Sequence, residues 1–489
     1  MRSFSFILVL LFSFSLLADK RPQVLIIGDS IYSEVARQAT GILKDKANVA
    51  FVKNSSWNSS FALANFNKLL EGKKWDLIVF NYGLNDIMYK HPSIKKSVRA
   101  MHKDAGGIHA VSETQYEKNL NELIKRFRAA GAKVIWASTT PVFKNTGILI
   151  AGDEVKYNSI AAKVMQQAKV PIVDMYSHGQ KIQKTNPKKN TYSYRSASQP
   201  LHPPIVKGIV KELKLAKPVK GPVNAFIMIG DEITLGNGLI RNSKQPQMGK
   251  PGTLDELVLK PETAASYKHL ITADKKWASR NDVWVHSYNR NSGKLMVGLG
   301  GRGNMFGPEL GFGFNMGAHL NQQVLIFKPD MRRTLTEKNY FRPEHGNYQT
   351  ILQQIKTSIG NIDDTFPDYT SATGYKIAGL VINYSLKEKD LKTYGPNLIK
   401  LVTSLRKDLN IPKLPVVIVG AGQADKYAAL IKIQQSSAAK LSNAKFIDAS
   451  KFWPDIKKSS DKSPDRWYGN AESFYKLGFS IAEEMKKLL

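Results

Sequence analysis

Cysteine is missing altogether from these 489 residues. Its absence excludes disulfides, thiolate metal sites and lipid attached to a cysteine side chain. Small exported domains use disulfides to make up for a small core, but a chain of this length can bury large cores instead. Acidic residues are scarce beside basic ones, 40 Asp and Glu against 71 Lys and Arg, and the formal net charge is +31. After the first residues, no segment approaches the run of about eighteen apolar residues that a membrane span needs. A soluble chain with no stable membrane insertion is therefore expected, and the length predicts two or three domains.

Residues 1–18 read as a secretory signal peptide: Arg2 supplies the charged start, Phe4 to Leu17 the apolar stretch, and Ala18 a small residue before a cut. Polar Asp19-Lys20-Arg21 follow at once, so an exported protein, periplasmic or extracellular, is expected. The basic excess bears on partners rather than on fold. Lysine dominates it, in Lys44-Asp45-Lys46, Lys95-Lys96, Lys184 to Lys189 and Lys387 to Lys392. Export argues against nucleic acid, and no basic stripe carries the interleaved aromatics of a single-strand binder. An anionic polysaccharide rich in sulfate or uronate suits this charge; a merely solvated basic surface suits it equally. The sequence carries no mark of oligomeric state.

The most informative segment is Val24-Leu25-Ile26-Ile27-Gly28-Asp29-Ser30. Four apolar, β-favouring residues predict a buried parallel strand. The helical pattern from Ile31 to Leu43 then puts Ser30 at the carboxyl end of that strand, where open α/β sheets bind ligands. Backbone N–H groups and the helix dipole favour developing negative charge there. A serine so placed can be a nucleophile, although Ser and Asp are also common helix caps, and the tripeptide alone favours capping. A second buried-strand pattern, Trp75 to Phe80, is broken by Gly83 and followed by Asn85 and Asp86, so Asn85 can aim an amide N–H at an oxyanion. His202 lies in Gln199-Pro200-Leu201-His202-Pro203, just before a helical run from Ile205 to Leu213.

Strands are predicted near residues 24–28, 48–52, 76–81, 133–137 and 171–174. Helices are predicted near 31–43, 62–71, 115–129 and 155–168. That alternation reads as a doubly wound parallel sheet. A polar insertion from Met88 to Ser112 carries His91, His102 and His109 and reads as a lid or substrate-facing loop. Its histidine spacing matches no compact ligand motif, so surface histidines are the better reading, and no metal or organic cofactor is expected. Residues 215–222, with Pro218, Gly221 and Pro222, read as a linker. Beyond it, Ala225-Phe226-Ile227-Met228-Ile229-Gly230-Asp231-Glu232 echoes residues 24–30, with Glu232 where the serine would stand. Gly298-Leu299-Gly300-Gly301-Arg302-Gly303 lacks the Lys-Ser/Thr of a P-loop and is read as an ordinary loop.

Ser30, Asn85 and His202, in this order and each at an element end, resemble the SGNH (GDSL-type) hydrolase family over residues 22–214. Phe61-Ala62-Leu63-Ala64-Asn65-Phe66, Gly72-Lys73-Lys74-Trp75-Asp76 and Ala137-Ser138-Thr139-Thr140-Pro141-Val142 are similar to that family as well. The resemblance implies Ser30 as nucleophile and His202 as general base. It implies the Ser30 backbone N–H and Asn85 as oxyanion donors, and a matching N–H from Trp57, which stands at the family's second-block glycine. Gln199 stands where the family carries an Asp, so a Ser–His dyad is expected rather than a triad; the third member mainly fixes the imidazole's tautomer and orientation.

The second half resembles the sialate O-acetylesterase-like (carbohydrate acetylesterase) domains, through Gly307-Pro308-Glu309-Leu310-Gly311, Phe366-Pro367-Asp368-Tyr369, Gly374-Tyr375-Lys376, Leu414-Pro415-Val416 and Gly469-Asn470-Ala471-Glu472. The family's nucleophile block reads Gly230-Asp231-Glu232-Ile233-Thr234 here, its histidine position Arg466, and its Gln-Gly-rich turn Asn383-Tyr384-Ser385. A catalytically inactive domain is expected, with a buried Glu232–Arg466 pair filling the old pocket; a new site from Asp231, Glu232 and Arg466, with the paired carboxylates for acid–base work, is the rival reading. The two resemblances imply two flavodoxin-like, SGNH-type three-layer α/β/α domains with mainly parallel sheets, over residues 19–214 and 223–489. They also imply an esterase that removes acyl groups, chiefly O-acetyl, from polysaccharide or oligosaccharide, exported as the signal peptide predicts. The competing reading is a non-catalytic anionic-polysaccharide-binding protein built from two degenerate domains; a lipid esterase ranks below both, because no apolar lid is visible.

Overall fold

The computed structural model describes residues 21–52, 57–93, 100–185, 201–215, 219, 221–241, 249–288, 290–329, 346–384 and 391–489. The signal segment, Gln199 and Lys95-Lys96 lie outside the described residues. Two compact units are present. One takes in the described residues before 186 together with Pro204–Leu213; the other takes in 201–203 and the described residues from Lys214 onward.

The first unit is built on strands β1 (Gln23–Ile27), β2 (Asn48–Phe51) and β3 (Leu77–Phe80). A short antiparallel hairpin follows, β4 (Tyr89–Lys90) with β5 (Ile108–His109), and then β6 (Lys133–Ala137) and β7 (Ile172–Val173). β1, β2, β3, β6 and β7 form one parallel sheet in the order β2-β1-β3-β6-β7. Every residue of β3 is buried, as expected where both sheet faces are covered. One face of β6 joins the core through Val134 and Trp136. On the opposite face Ile135 and Val173 meet the helix His202–Glu212 so closely that a Cβ on Gly208 would lie 2.7 Å from Val173. Helices therefore lie on both faces. The helix Glu113–Ala129 shows the local logic: Ser112 caps it through the Gln115 N–H, Glu113 sits in its first turn and Arg126 and Arg128 in its last. Its Tyr116, Leu120, Leu123, Ile124 and Phe127 recur at helical spacing and are buried.

The second unit holds β8 (Val223–Gly230), β9 (Gly238–Leu239), β10 (Arg280–Ser287), β11 (Gly293–Leu295), β12 (Met305–Phe306), β13 (Val324–Lys328), β14 (Tyr375–Asn383), β15 (Val416–Val419) and β16 (Ala444–Ile447). Seven of these make a sheet in the order β11-β10-β13-β8-β14-β15-β16, parallel except where β11 pairs with β10; β9 and β12 pair separately. β8 is buried throughout, and its side chains alternate between two cores. Ala225, Ile227 and Ile229 enter the core shared with helices Gly346–Gly360 and Leu391–Asp408, while Phe226 and Met228 enter the one shared with Glu309–His319 and Ala471–Lys486.

Both units are thus α/β layered folds with mainly parallel sheets, the first in the flavodoxin-like order. The predicted helix at 62–71 is two short ones, Ser59–Ala64 and Phe66–Leu70, because Asn65 leaves helical geometry at φ −117°, ψ 24°. The sequence echo between residues 24–30 and 225–232 has a structural counterpart. A Cβ on Gly28 would lie 2.8 Å from the carbonyl oxygen of Asn81, and one on Gly230 would lie 2.2 Å from that of Asn383. In each unit a glycine at or just past the end of the first strand lets the chain turn against the carbonyl of an asparagine at the same end of the neighbouring strand.

Candidate active site

In the first unit the sheet order reverses between β1 and β3, the crevice where such folds bind ligands. Ser30 follows β1 and Asn85 follows β3, so both predicted residues sit at this switch point. The turn after β1 is tight: Tyr32 N–H donates to the Asp29 carbonyl at 2.9 Å, and Ser33 Oγ donates to the Ser30 carbonyl at 2.8 Å. Ser30 is exposed, and among the described residues its Oγ makes no hydrogen bond. It lies just ahead of a helix without capping it: Ile31 holds the cap position of Tyr32–Leu43, and that end has no side-chain cap among the described residues. The capping explanation of Ser30 therefore fails.

Asn85 is half-buried, and its amide donates to Asp29 Oδ1 at 2.7 Å. Leu84 N–H donates to the other oxygen, Asp29 Oδ2, at 3.3 Å. Asp29 is thereby a clamp that holds the Asn85 loop against the Ser30 turn. The loop also needs Gly83, where a Cβ would overlap Thr139 Oγ1, in the predicted Ala137–Val142 segment. Asp86, next in sequence and fully buried, accepts from Ser59 N–H at 3.0 Å and from Ser59 Oγ. The Asn119 amide lies 2.8 Å from both the Ser59 and Ser60 hydroxyls. This chain of bonds fixes the Asn85 loop to the helix Ser59–Ala64 and so to Trp57, two residues upstream of Ser59. Asn58 caps that helix by accepting from Phe61 N–H at 3.0 Å.

Two buried carboxyls lie in one small region, and burial opposes the ionisation of both. Burial pushes Asp29 up to about 7, against the pull of the Leu84 and Asn85 donors. Burial likewise pushes Asp86 up to about 8; the Ser59 bonds oppose this, and the Asp29 charge adds to it. Among the described residues Asp86 Oδ2 is buried without a hydrogen-bond partner, so none of them replaces the water lost by that oxygen. Sequence reasoning passed over both acids, although each adjoins a predicted site residue at a strand end. Their roles depend on partners 55 to 56 residues away, or 27 for Asp86 with Ser59.

His202, half-buried, is the first residue of the helix His202–Glu212. Trp57 is exposed. In the insertion, His109 is a structural residue: Nε2 pairs with Asp153 Oδ2 at 3.1 Å, Nδ1 meets Tyr157 Oη at 3.2 Å, and the ring packs on Tyr89. Among the described residues no group of three or more His, Asp or Glu is arranged to hold a metal, and no helix is long and apolar enough to cross a membrane.

In the second unit Asp231 is buried and caps the helix Glu232–Leu235 through Ile233 N–H at 3.0 Å. The Glu232–Arg466 ion pair expected from the sequence is not made: among the described residues no ion pair joins them, and both are half-buried. The buried pair is Lys328–Glu309, 3.0 Å apart with both side chains 1% exposed. Lys328 Nζ also donates to the Leu235 carbonyl at 3.2 Å, and Glu309 accepts from Gly307 N–H at 2.8 Å. The glycine-rich stretch is a loop, as expected; Gly301 N–H donates to the Gly236 carbonyl at 2.7 Å.

Comparison with known proteins gives two family matches. The model of the GDSL-like lipase/acylhydrolase family matches residues 26–203. That of the carbohydrate esterase, sialic acid-specific acetylesterase family matches residues 222–487, more than half of the chain. A probable carbohydrate esterase of Arabidopsis thaliana is 31% identical over 94 residues, 19% of this chain and 33% of that protein, so the match spans about a third of the relative's length. Among solved structures, one from Arabidopsis thaliana matches 54% of this chain and 98% of its own at 18% identity, with a TM-score of 0.36. An acetylxylan esterase from Geobacillus stearothermophilus matches 39% of this chain and 94% of its own at 16% identity, with a TM-score of 0.29.

Proposed function

Because the chain belongs to the carbohydrate esterase, sialic acid-specific acetylesterase family and carries a GDSL-like lipase/acylhydrolase domain ahead of that match, we propose that it is an exported serine esterase removing acyl groups, chiefly O-acetyl, from carbohydrate. The observation that carries this reading is the switch point of the first unit. There an exposed Ser30 follows one strand, and Asn85, clamped by Asp29, follows its neighbour.

Ser30 Oγ attacks the ester carbonyl carbon while His202 takes its proton. The oxyanion that forms is held by the Ser30 backbone N–H, the Asn85 amide and the Trp57 backbone N–H. The tetrahedral intermediate collapses, and the sugar oxygen leaves with the proton from His202. Water, deprotonated by His202, then attacks the acyl-enzyme; Ser30 recovers its proton and the acid is released. No cofactor enters this scheme. Glu232 at the serine position makes the second domain a non-catalytic partner in this reading. The alternative, a non-catalytic anionic-polysaccharide-binding protein, is favoured by two features, Gln199 where an aspartate would orient the base and Trp57 where the family carries a glycine.

Hydrolysis of p-nitrophenyl acetate by the full mature chain, beside Ser30→Ala and Asn85→Ala, tests the proposal. Loss of all enzymatic rate in Ser30→Ala and a drop of roughly 10²–10³ in kcat for Asn85→Ala are expected. Equal, background-level rates in wild type and Ser30→Ala would remove the esterase reading.

A further inference from the structure

Trp57 and Phe61 are the two aromatic side chains that the first unit leaves exposed among its described residues, at 44% and 36%. They are neighbours, with ring centroids 5.4 Å apart and planes tilted by 35°. The unit's other tryptophans, Trp75 and Trp136, are buried. Single exposed apolar residues are ordinary; here two aromatic rings adjoin on a fixed backbone and together offer one contiguous apolar face. The backbone here is fixed: Asn58 caps the turn between the two residues through Phe61 N–H, and Ser59 is bonded through N–H and Oγ to buried Asp86. Asp86 adjoins Asn85, so the pair is tied by two short links to the proposed oxyanion loop.

We infer that Trp57 and Phe61 form a sugar-stacking subsite, which holds a pyranose ring of the acylated glycan beside Ser30. A pyranoside presents an apolar face of polarised C–H groups to the electron-rich face of an indole, while its hydroxyls stay in water. Two adjoining tilted rings offer such a face on rigid side chains of few rotamers, so little entropy is lost on binding. The adjacency to Ser30 rests on the esterase proposal; the stacking itself does not.

The test uses the full mature chain and two ester-free probes, neutral xylohexaose and anionic hexagalacturonate, followed by titration calorimetry and tryptophan fluorescence. Saturable binding of at least one probe is expected. Trp57→Ala and Phe61→Ala should each weaken it roughly tenfold, about the contribution of one aromatic contact, and Trp57→Phe should retain part of it. Unchanged melting temperatures establish that the variants fold. No binding of either probe by the wild type, or equal affinity in folded Trp57→Ala, overturns the inference. Because neither probe carries an ester, a failed subsite and a failed esterase reading are told apart: the former appears in the titrations, the latter in the Ser30→Ala rates.

Discussion

Asp86 shows how one residue can tie a site together at a cost in stability. Its Oδ1 bonds to Ser59 hold the Asn85 loop, yet burial and the nearby Asp29 oppose its charge. Both acids titrate higher in the folded chain, near 7 and 8, than their ordinary 3.8. Between those values the folded state binds more protons than the unfolded one, so stability falls as pH rises. The favourable contribution is complete below the unfolded value and is lost as pH passes through the folded values. Asp86→Asn keeps an acceptor for Ser59 and cannot ionise. Its melting temperature should therefore fall less than that of the wild type between about pH 5 and about pH 9. Parallel curves would show that Asp86 does not contribute to that slope.

At the scale of elements, strand and helix positions were legible because their patterns are local. Four-residue apolar runs became β1 and β3, and the spacing of Tyr116, Leu120, Leu123 and Phe127 became one helix. The positions of Ser30 and Asn85 on loops at the ends of these strands were legible for the same reason, since each lies within five residues of such a run. Long-range pairings carry no local signal, and there the reading failed. The segment bearing Arg466 does abut the helix that begins at Glu232, but adjacency of segments does not decide which side chains pair. The buried charges instead belong to the helix Glu309–His319 and the end of β13, and both are supplied with extra backbone bonds. Removing one partner leaves the other charge buried alone, which costs about 3–5 kcal/mol. Lys328→Met should lose that much in urea unfolding followed by a probe in the second unit, and the double variant Lys328→Met/Glu309→Gln should recover part of it. A single variant as stable as the wild type would mean that the buried pair adds nothing to the stability of the second unit.

For the whole molecule the question is what so much positive charge does. If each of the 40 acids held a base, 31 Lys and Arg would still be uncompensated. Several acids are paired with bases on the surface, Glu34 with Arg37, Glu122 with Arg126 and Glu484 with Lys487 among them, and these pairs are already counted in the net charge. The field of that net charge attracts polyanions over the Debye length, about 10 Å at 0.1 M salt and about 3 Å at 1 M. Stacking of a neutral sugar on Trp57 and Phe61 involves no net charge and should be nearly indifferent to salt. The two contributions therefore separate in one series. Affinity for polygalacturonate should fall steeply between about 0.05 M and about 0.5 M sodium chloride, while affinity for xylohexaose stays flat. Salt-insensitive polygalacturonate binding would place recognition in the aromatic pair alone, and the basic surface would then serve solubility rather than substrate capture.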